Sequence, residues 1–351
     1  MALLPILYTL GGLTVADVLA AKLFTFFYRN ERRPDAVHFF RTHDGWHLAL
    51  NEYRPPAGKK LKRPVICCHG LSGNHHGFDL GERISMARTL AEQGHPTFLL
   101  DLRGAGCSEK GGPGADKPLD WILSDHYRYD APAAVEKVRQ LTGADRIHWV
   151  GHSMGGMIAY AFLQGELAQK IQRCVILASP AKFHFYRPAH VLKPLLKLIP
   201  GVPLRTLTQS VAPLFEWFRP LQLVSGNINL APGVFTLSAV NCQDQLPSSL
   251  LADFARFVKH GHYLDDDGRD MLEGMRNINT PTLFMVGEKD GTAGFKSVQS
   301  AYEACGSREK KFVGLGKNFG HQREYGHMTI LVGRDVAEEV FPEIIAWLAK
   351  D

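Results

Sequence analysis

Ile147-His148-Trp149-Val150-Gly151-His152-Ser153-Met154-Gly155-Gly156 is the stretch on which the fold turns. Its first four residues suit a buried strand, and the run beginning at Met154 has apolar residues at helical spacing. Between them lies a turn tight enough to hold Ser153 in a strained backbone conformation. Gly151 and Gly155 supply the small residues such a turn needs, because neighbouring backbone passes too close for a β-carbon. The turn exposes the serine Oγ, and the N-terminus of the following helix aims amide dipoles at any negative charge that develops beside it. A bare G-x-S-x-G occurs by chance. In a strand–turn–helix context it marks a nucleophile rather than a plain turn.

Outward from this point, short apolar runs alternate with amphipathic ones. Strands are expected at residues 64–68, 97–100, 174–178, 282–286 and 312–315, with a hairpin over 36–53 around His43-Asp44-Gly45. Helices are expected at 80–93, 131–141, 154–163 and 296–304, and one from about 329 to 348. Continuous apolar strands separated by helices imply an α/β fold, a mostly parallel sheet with helices on both faces. The alternation stops between about 183 and 276, where Leu, Pro and Phe dominate, as in residues 191–200 and 214–218. So long a stretch between two core strands predicts an inserted helical cap rather than a loop. Its apolar faces are expected partly to pack on the core and partly to line an acyl pocket. The domain division is then 31–181 with 277–351 as core, 182–276 as cap, and 1–30 as a separate apolar segment.

A serine hydroxyl needs a base to take its proton and amide donors for an oxyanion. The base and its orienting acid should follow the nucleophile in the order acid, then histidine. Asp290, in Val286-Gly287-Glu288-Lys289-Asp290, lies just past a strand end, where catalytic groups gather in open parallel sheets. Glu288 is its competitor. His327, in Tyr325-Gly326-His327-Met328, stands after the last strand and directly before the C-terminal helix; His321 is the rival. His69-Gly70-Leu71-Ser72-Gly73 follows the strand at 64–68 and offers the Leu71 amide as one oxyanion donor, with the Met154 amide as the other.

Composition narrows the class. The chain of 351 residues is 45% hydrophobic and 21% charged, with a net charge of +5. Its basic residues are scattered without interleaved aromatics, which disfavours nucleic-acid binding. None of the six cysteines lies in a C-x-x-C pair or at zinc-ligand spacing, so they read as small buried groups in a reducing, cytoplasmic setting. Residues 1–28 are strongly apolar but carry Asp17 and Lys22, and the charge-free part, 1–16, is shorter than the roughly 20 residues needed to span a bilayer. Three readings stay open: a helix docked on the domain, an interfacial anchor, or a marginal span. Arg29, Arg32 and Arg33 favour a cytoplasmic catalytic domain if the segment does anchor.

From about residue 36 to the C-terminus the chain resembles the α/β-hydrolase superfamily. The resemblance rests on His69-Gly70, Asp101-Leu102-Arg103-Gly104-Ala105-Gly106-Cys107-Ser108, Gly151 to Gly156, Gly287 with Asp290, and Gly326-His327. In that family the segment at 101–108 is a structural turn. The Tyr325-Gly326-His327 ending and the lipophilic cap look similar to acid lipases and to polyhydroxyalkanoate synthases. The synthases use cysteine where this chain has Ser153, which favours ester hydrolysis over polymerisation. The resemblance implies a serine esterase or lipase without metal or organic cofactor, acting on a lipophilic small-molecule ester through Ser153, His327 and Asp290. The alternatives are a serine acyltransferase using the same acyl-enzyme, and a non-catalytic ligand-binding relative.

Overall fold

A computed structural model describes residues 26–108, 120–183 and 229–350, with positions 19 and 23 and the backbone of 201–202. Among the described residues there are ten strands: β1 (Ala36–Arg41), β2 (His47–Tyr53), β3 (Val65–Cys68), β4 (Thr97–Asp101), β5 (Ile147–His152), β6 (Ile171–Leu177), β7 (Gly201–Val202), β8 (Leu246–Pro247), β9 (Thr282–Gly287) and β10 (Lys310–Leu315). Eight of them form one sheet in the order β1-β2-β4-β3-β5-β6-β9-β10, while β7 and β8 pair separately. In the large sheet the hairpin β1–β2 and the β2–β4 pair are antiparallel, and the neighbours along β4-β3-β5-β6-β9-β10 are parallel. Strands β3, β4, β5 and β9 are buried along their whole length, as strands with helices on both faces must be.

The strand order places the site. From β3 the chain steps to β4 on one side, then crosses to β5 and continues through β6, β9 and β10 on the other. The direction reverses between β3 and β5, and a crevice opens beyond the carboxyl ends of those two strands. Residues 69 and 153 leave the sheet at that point. Around β5 the packing is dense: Trp149 is fully buried, with its ring edge-on to Phe162 at 4.9 Å.

Several element boundaries differ from the sequence expectation. The helix expected over 80–93 is a short turn, Glu82–Ile84, and then Met86–Glu92, because Ser85 caps the second piece by accepting from the Arg88 amide. The helix Ala131–Thr142 ends at Gly143, which takes a φ of 70°. It is preceded by Leu123–Asp125 and the π-helical turn His126–Asp130. In that turn Asp130 is buried, accepting from His126 Nδ1 at 2.7 Å and from the Arg103 guanidinium at 2.7 Å. The single C-terminal helix expected from about 329 to 348 is three: Thr329–Val332, Val336–Glu339 and Phe341–Leu348. Gly333 turns extended after the first, and Pro342 sits in the first turn of the third, where its missing N–H costs nothing. Apolar periodicity continues across both breaks, so it reads as one helix.

The segment at 101–108 performs the structural work expected of it. Asp101 accepts from the His75 amide at 2.8 Å, the Cys107 amide at 2.9 Å and Asn51 Nδ2 at 3.0 Å, and pairs with His75 Nδ1 at 2.8 Å. Burial would raise its carboxyl pKa, but His75 and these hydrogen bonds hold it well below the ordinary range.

Residues 178–281 join β6 to β9. Their described part holds the helices Val234–Asn241, Ser248–His260 and Met271–Gly274. Phe257 anchors this insertion, with its ring 5.8 Å from that of Phe183 and 4.7 Å from that of Tyr263. The apolar runs at 191–200 and 214–218 lie outside the described residues, so the expected cap is described only in part. Residues 1–18 of the N-terminal segment also lie outside. Its described helical positions Leu19, Leu23, Phe26 and Phe27 are exposed. Among the described residues no helix is long and apolar enough to cross a membrane.

Candidate active site

Ser153 follows β5 with φ 53° and ψ −118°, and the helix Met154–Phe162 starts on the next residue. A side chain held in the left-handed region costs about 1–3 kcal/mol and persists only where its surroundings enforce it. They do so here through close backbone contact. A β-carbon on Gly151 would lie 2.4 Å from the Gly155 carbonyl oxygen, and one on Gly155 would lie 2.2 Å from that of Cys68. The Ser153 amide donates to the Leu177 carbonyl at 2.8 Å, tying the apex of the turn to the end of β6.

The structure brings Ser153, His327 and Asp290 together. His327 Nε2 is 2.9 Å from Ser153 Oγ, and His327 Nδ1 is 2.9 Å from Asp290 Oδ2. Asp290 is buried, and its other oxygen accepts from the amides of Thr292 and Ala293, each at 2.8 Å. Burial pushes this carboxyl up, yet His327 and the two amides outweigh it and hold the carboxyl below its ordinary range. An ionised carboxylate only accepts hydrogen bonds, so His327 carries its proton on Nδ1 and turns the Nε2 lone pair to the serine hydroxyl. That arrangement is suited to removing the hydroxyl proton.

The two rivals lie elsewhere. Glu288 accepts from Asn318 Nδ2 and from the Asn318 amide. His321 turns Nδ1 toward the backbone of Gly316. Neither takes part in the Ser153 relay.

The loop after β3 passes directly beside the serine: a β-carbon on Gly70 would lie 2.9 Å from that of Ser153. His69 shapes this loop. Its Nε2 accepts from the Leu102 amide at 3.2 Å, so the proton sits on Nδ1, which donates to the Gly70 carbonyl at 2.8 Å. Burial lowers the His69 pKa and keeps the ring neutral. Met154 is the first residue of its helix, where amides have no partner within the helix. Among the described residues, neither its amide nor that of Leu71 has a protein acceptor.

His152, which the sequence marks as shaping the serine turn but not as part of the relay, also reaches a second segment of the site. It is buried, and its Nε2–H donates to the backbone carbonyl of His327 at 3.0 Å. Burial, with His327 nearby, pushes its pKa down to about 3, so it stays a neutral donor. Its place beside the serine in the motif was visible, but nothing in the sequence showed which loop it would meet.

Above Ser153 opens a cavity of about 640 Å³, within the usual size of small-ligand pockets. Its walls are largely apolar, with Leu71, Phe78, Phe183, Phe254, Val258 and Leu331 facing it. Elsewhere, His75, Asp101 and Cys107 bring ligand-type atoms within 4.8 Å of one another. His75 Nδ1 and the Asp101 oxygens are already engaged in the hydrogen bonds described above, so this is a structural polar cluster.

Known proteins agree with this architecture. A family model described as alpha/beta hydrolase fold matches residues 63–219. The chain is 27% identical to gastric triacylglycerol lipase of Mus musculus, over 88% of this chain and 87% of that protein. It is 26% identical to lipase member K of Mus musculus, over 90% of this chain and 88% of that one. Among solved structures, a thermophilic esterase from Thermogutta terrifontis superposes with a TM-score of 0.58 at 15% identity, over 90% of this chain and 98% of the other. At that identity the superposition speaks for the fold alone. The chain thus has the α/β-hydrolase fold, and the relatives it matches over most of its length are lipases, which supports a lipase- or esterase-type hydrolase.

Proposed function

We propose that this protein hydrolyses carboxylic esters of apolar acyl groups through an acyl-enzyme on Ser153. The observation that carries the reading is the unbroken relay from Ser153 Oγ through His327 to Asp290 at the floor of an apolar cavity. His327 takes the hydroxyl proton as Oγ attacks the ester carbonyl, and Asp290 orients and stabilises the imidazolium that forms. The amides of Leu71 and Met154 receive the oxyanion. His327 then protonates the leaving alcohol, and water repeats the sequence on the acyl-enzyme. Ser153, His327 and Asp290 are the catalytic residues in this scheme. The insertion between β6 and β9 acts as the cap, with Phe183 and Phe254 forming part of the acyl wall.

The test is hydrolysis of p-nitrophenyl esters of increasing chain length by wild type and Ser153→Ala, with fluorophosphonate labelling of both. Turnover and labelling are expected in the wild type and absent in the variant. A folded wild type that neither labels nor hydrolyses any ester of the series overturns the reading.

The same reading extends to a lipid surface. Exposed Leu19, Leu23, Phe26 and Phe27 suit interfacial contact. The chain just after them is fixed near the cavity: Asn30 Nδ2 donates to the Asp79 carbonyl at 2.8 Å, and Asn241 Nδ2 donates to the Tyr28 carbonyl at 2.7 Å. Phe78 and Cys242, the neighbours of those partners, line the cavity. Co-sedimentation with phosphatidylcholine vesicles should weaken in Phe26→Ser/Phe27→Ser, and unchanged co-sedimentation overturns this extension. All six cysteines are free thiols, which supports a cytoplasmic placement.

A further inference from the structure

The ester-hydrolase reading above is the basis for an inference about how its oxyanion site is held. Leu71 sits in a turn closed by the Gly73 amide donating to the Gly70 carbonyl at 3.0 Å. Ser72, the third residue of that turn, has a φ of 54°, whereas Leu71 is not in the positive region. This is the pattern of a type II turn, whose third position favours glycine or asparagine. A serine there is strained, and the turn that presents Leu71 needs support from outside.

The support comes from the insertion, just before β8. The Asp244 amide donates to the Ser72 carbonyl at 2.7 Å, and the Ser72 hydroxyl donates to Gln243 Oε1 at 2.9 Å. The strained residue is thus gripped through both its backbone and its side chain. Asp244 Oδ2 accepts from Asn74 Nδ2 and from the Gly106 amide, each at 2.8 Å. Asn74 Nδ2 also donates to the Asn241 carbonyl at 2.8 Å, while its Oδ1 accepts from the His76 amide at 3.0 Å. One carboxylate oxygen therefore joins the loop after β3, the turn after β4 and the insertion. Asp244 is 3% exposed and lies outside the lining of the Ser153 cavity.

We propose that Asp244 is a positioning residue for ester hydrolysis. Through the 241–244 segment the insertion holds the Ser72 turn, and with it the Leu71 amide, so the oxyanion site is completed by the insertion rather than by the core alone. A carboxylate suits the position because it only accepts hydrogen bonds, and two N–H donors converge on it.

The test compares wild type, Asp244→Ala and the near-isosteric Asp244→Asn on a soluble short-chain p-nitrophenyl ester, with active sites counted by fluorophosphonate titration. Loss of a whole oxyanion donor costs about 10²–10³-fold in kcat. A misplaced donor in Asp244→Ala is expected to cost about ten- to a hundred-fold, with KM moved less than about two-fold. Asp244→Asn keeps one accepting oxygen and is expected to lose less. Adding Ser72→Gly, which removes the strain the clamp opposes, is expected to recover part of the lost kcat. A packing role alone would lower the melting temperature and the titratable fraction while leaving kcat per titrated site unchanged. That result, or no recovery on adding Ser72→Gly, overturns the proposal. Should Asp244→Ala fail to fold, Asp244→Asn with and without Ser72→Gly carries the same comparison. Failure of the underlying hydrolase reading looks different, since the wild type itself would then neither label nor turn over.

Discussion

Replacing Asp290 by asparagine changes one atom in the relay, and the structure fixes how that atom must sit. Asp290 Oδ1 accepts from two backbone amides, Thr292 and Ala293, each at 2.8 Å. In Asp290→Asn the amide NH₂ cannot face those two donors, so the carbonyl oxygen takes their side. The NH₂ then replaces Oδ2, 2.9 Å from His327 Nδ1. Facing a donor, Nδ1 must become the acceptor, and the imidazole proton moves to Nε2 beside Ser153. The base then presents a proton where it needs a lone pair. A tautomer change of this kind in a serine protease lowers kcat about 10⁴-fold, or roughly 5.4 kcal/mol at 1.36 kcal/mol per decade. Asp290 does not line the cavity, so KM should stay within about three-fold. The assay is steady-state hydrolysis of a soluble p-nitrophenyl ester near pH 7.5, with the fold checked by circular dichroism. A folded variant retaining more than about a tenth of wild-type kcat would refute the reasoning, because the amides would then not be dictating the asparagine orientation.

Three further outcomes follow from the same geometry. His152→Leu removes the donor to the part-buried His327 carbonyl, at about 1 kcal/mol; kcat should fall about ten-fold or more, with partial rescue by His152→Gln, and full activity in both variants would dismiss the contact. Gly155→Ala forces a β-carbon to 2.2 Å from the Cys68 carbonyl oxygen, so the protein should be recovered unfolded or with a melting temperature at least about 10 °C lower, whereas a normal melting curve contradicts the close packing of the turn. Stability should also fall in mild acid. His148 and His152 are held at about 3 by burial, so they gain protons only on unfolding once the pH drops below the ordinary 6.5. Each then costs roughly 1.4 kcal/mol per pH unit on the way down to about 3. The depressed carboxyls of Asp101 and Asp290 act lower, their contribution being complete above the ordinary carboxylate range and lost as pH falls toward their folded values. Urea unfolding at pH 7.5, 6 and 5 checks this, and His152→Gln should show a shallower decline; equal slopes would remove His152 from the account.

Local chemistry explains why so much was legible. A glycine pair around a serine, between an apolar run and a helical one, is a constraint written within ten residues, and the sheet around it follows from alternation of the same local kind. Asp290 is preferred over Glu288 by its position past a strand end and His327 over His321 by the helix that starts directly after it, and in the structure His327 meets Ser153 while Asp290 meets His327. Periodicity failed where it had no means to register a stop, as at Gly333 and Pro342, because both faces of the pattern continue across the break.

By itself the sequence determined the parallel α/β sheet, the strained serine turn and the types of group that would surround it. Tertiary structure alone decided which distant segments hold those groups in place. The bond from His152 to the His327 carbonyl spans 175 positions, and that from Ser72 to Gln243 spans 171. Backbone sterics and apolar spacing act between near neighbours and so leave a mark in the order of residues. A hydrogen bond between a side chain and a remote loop leaves none, because any polar residue can make it once the fold has brought the two together.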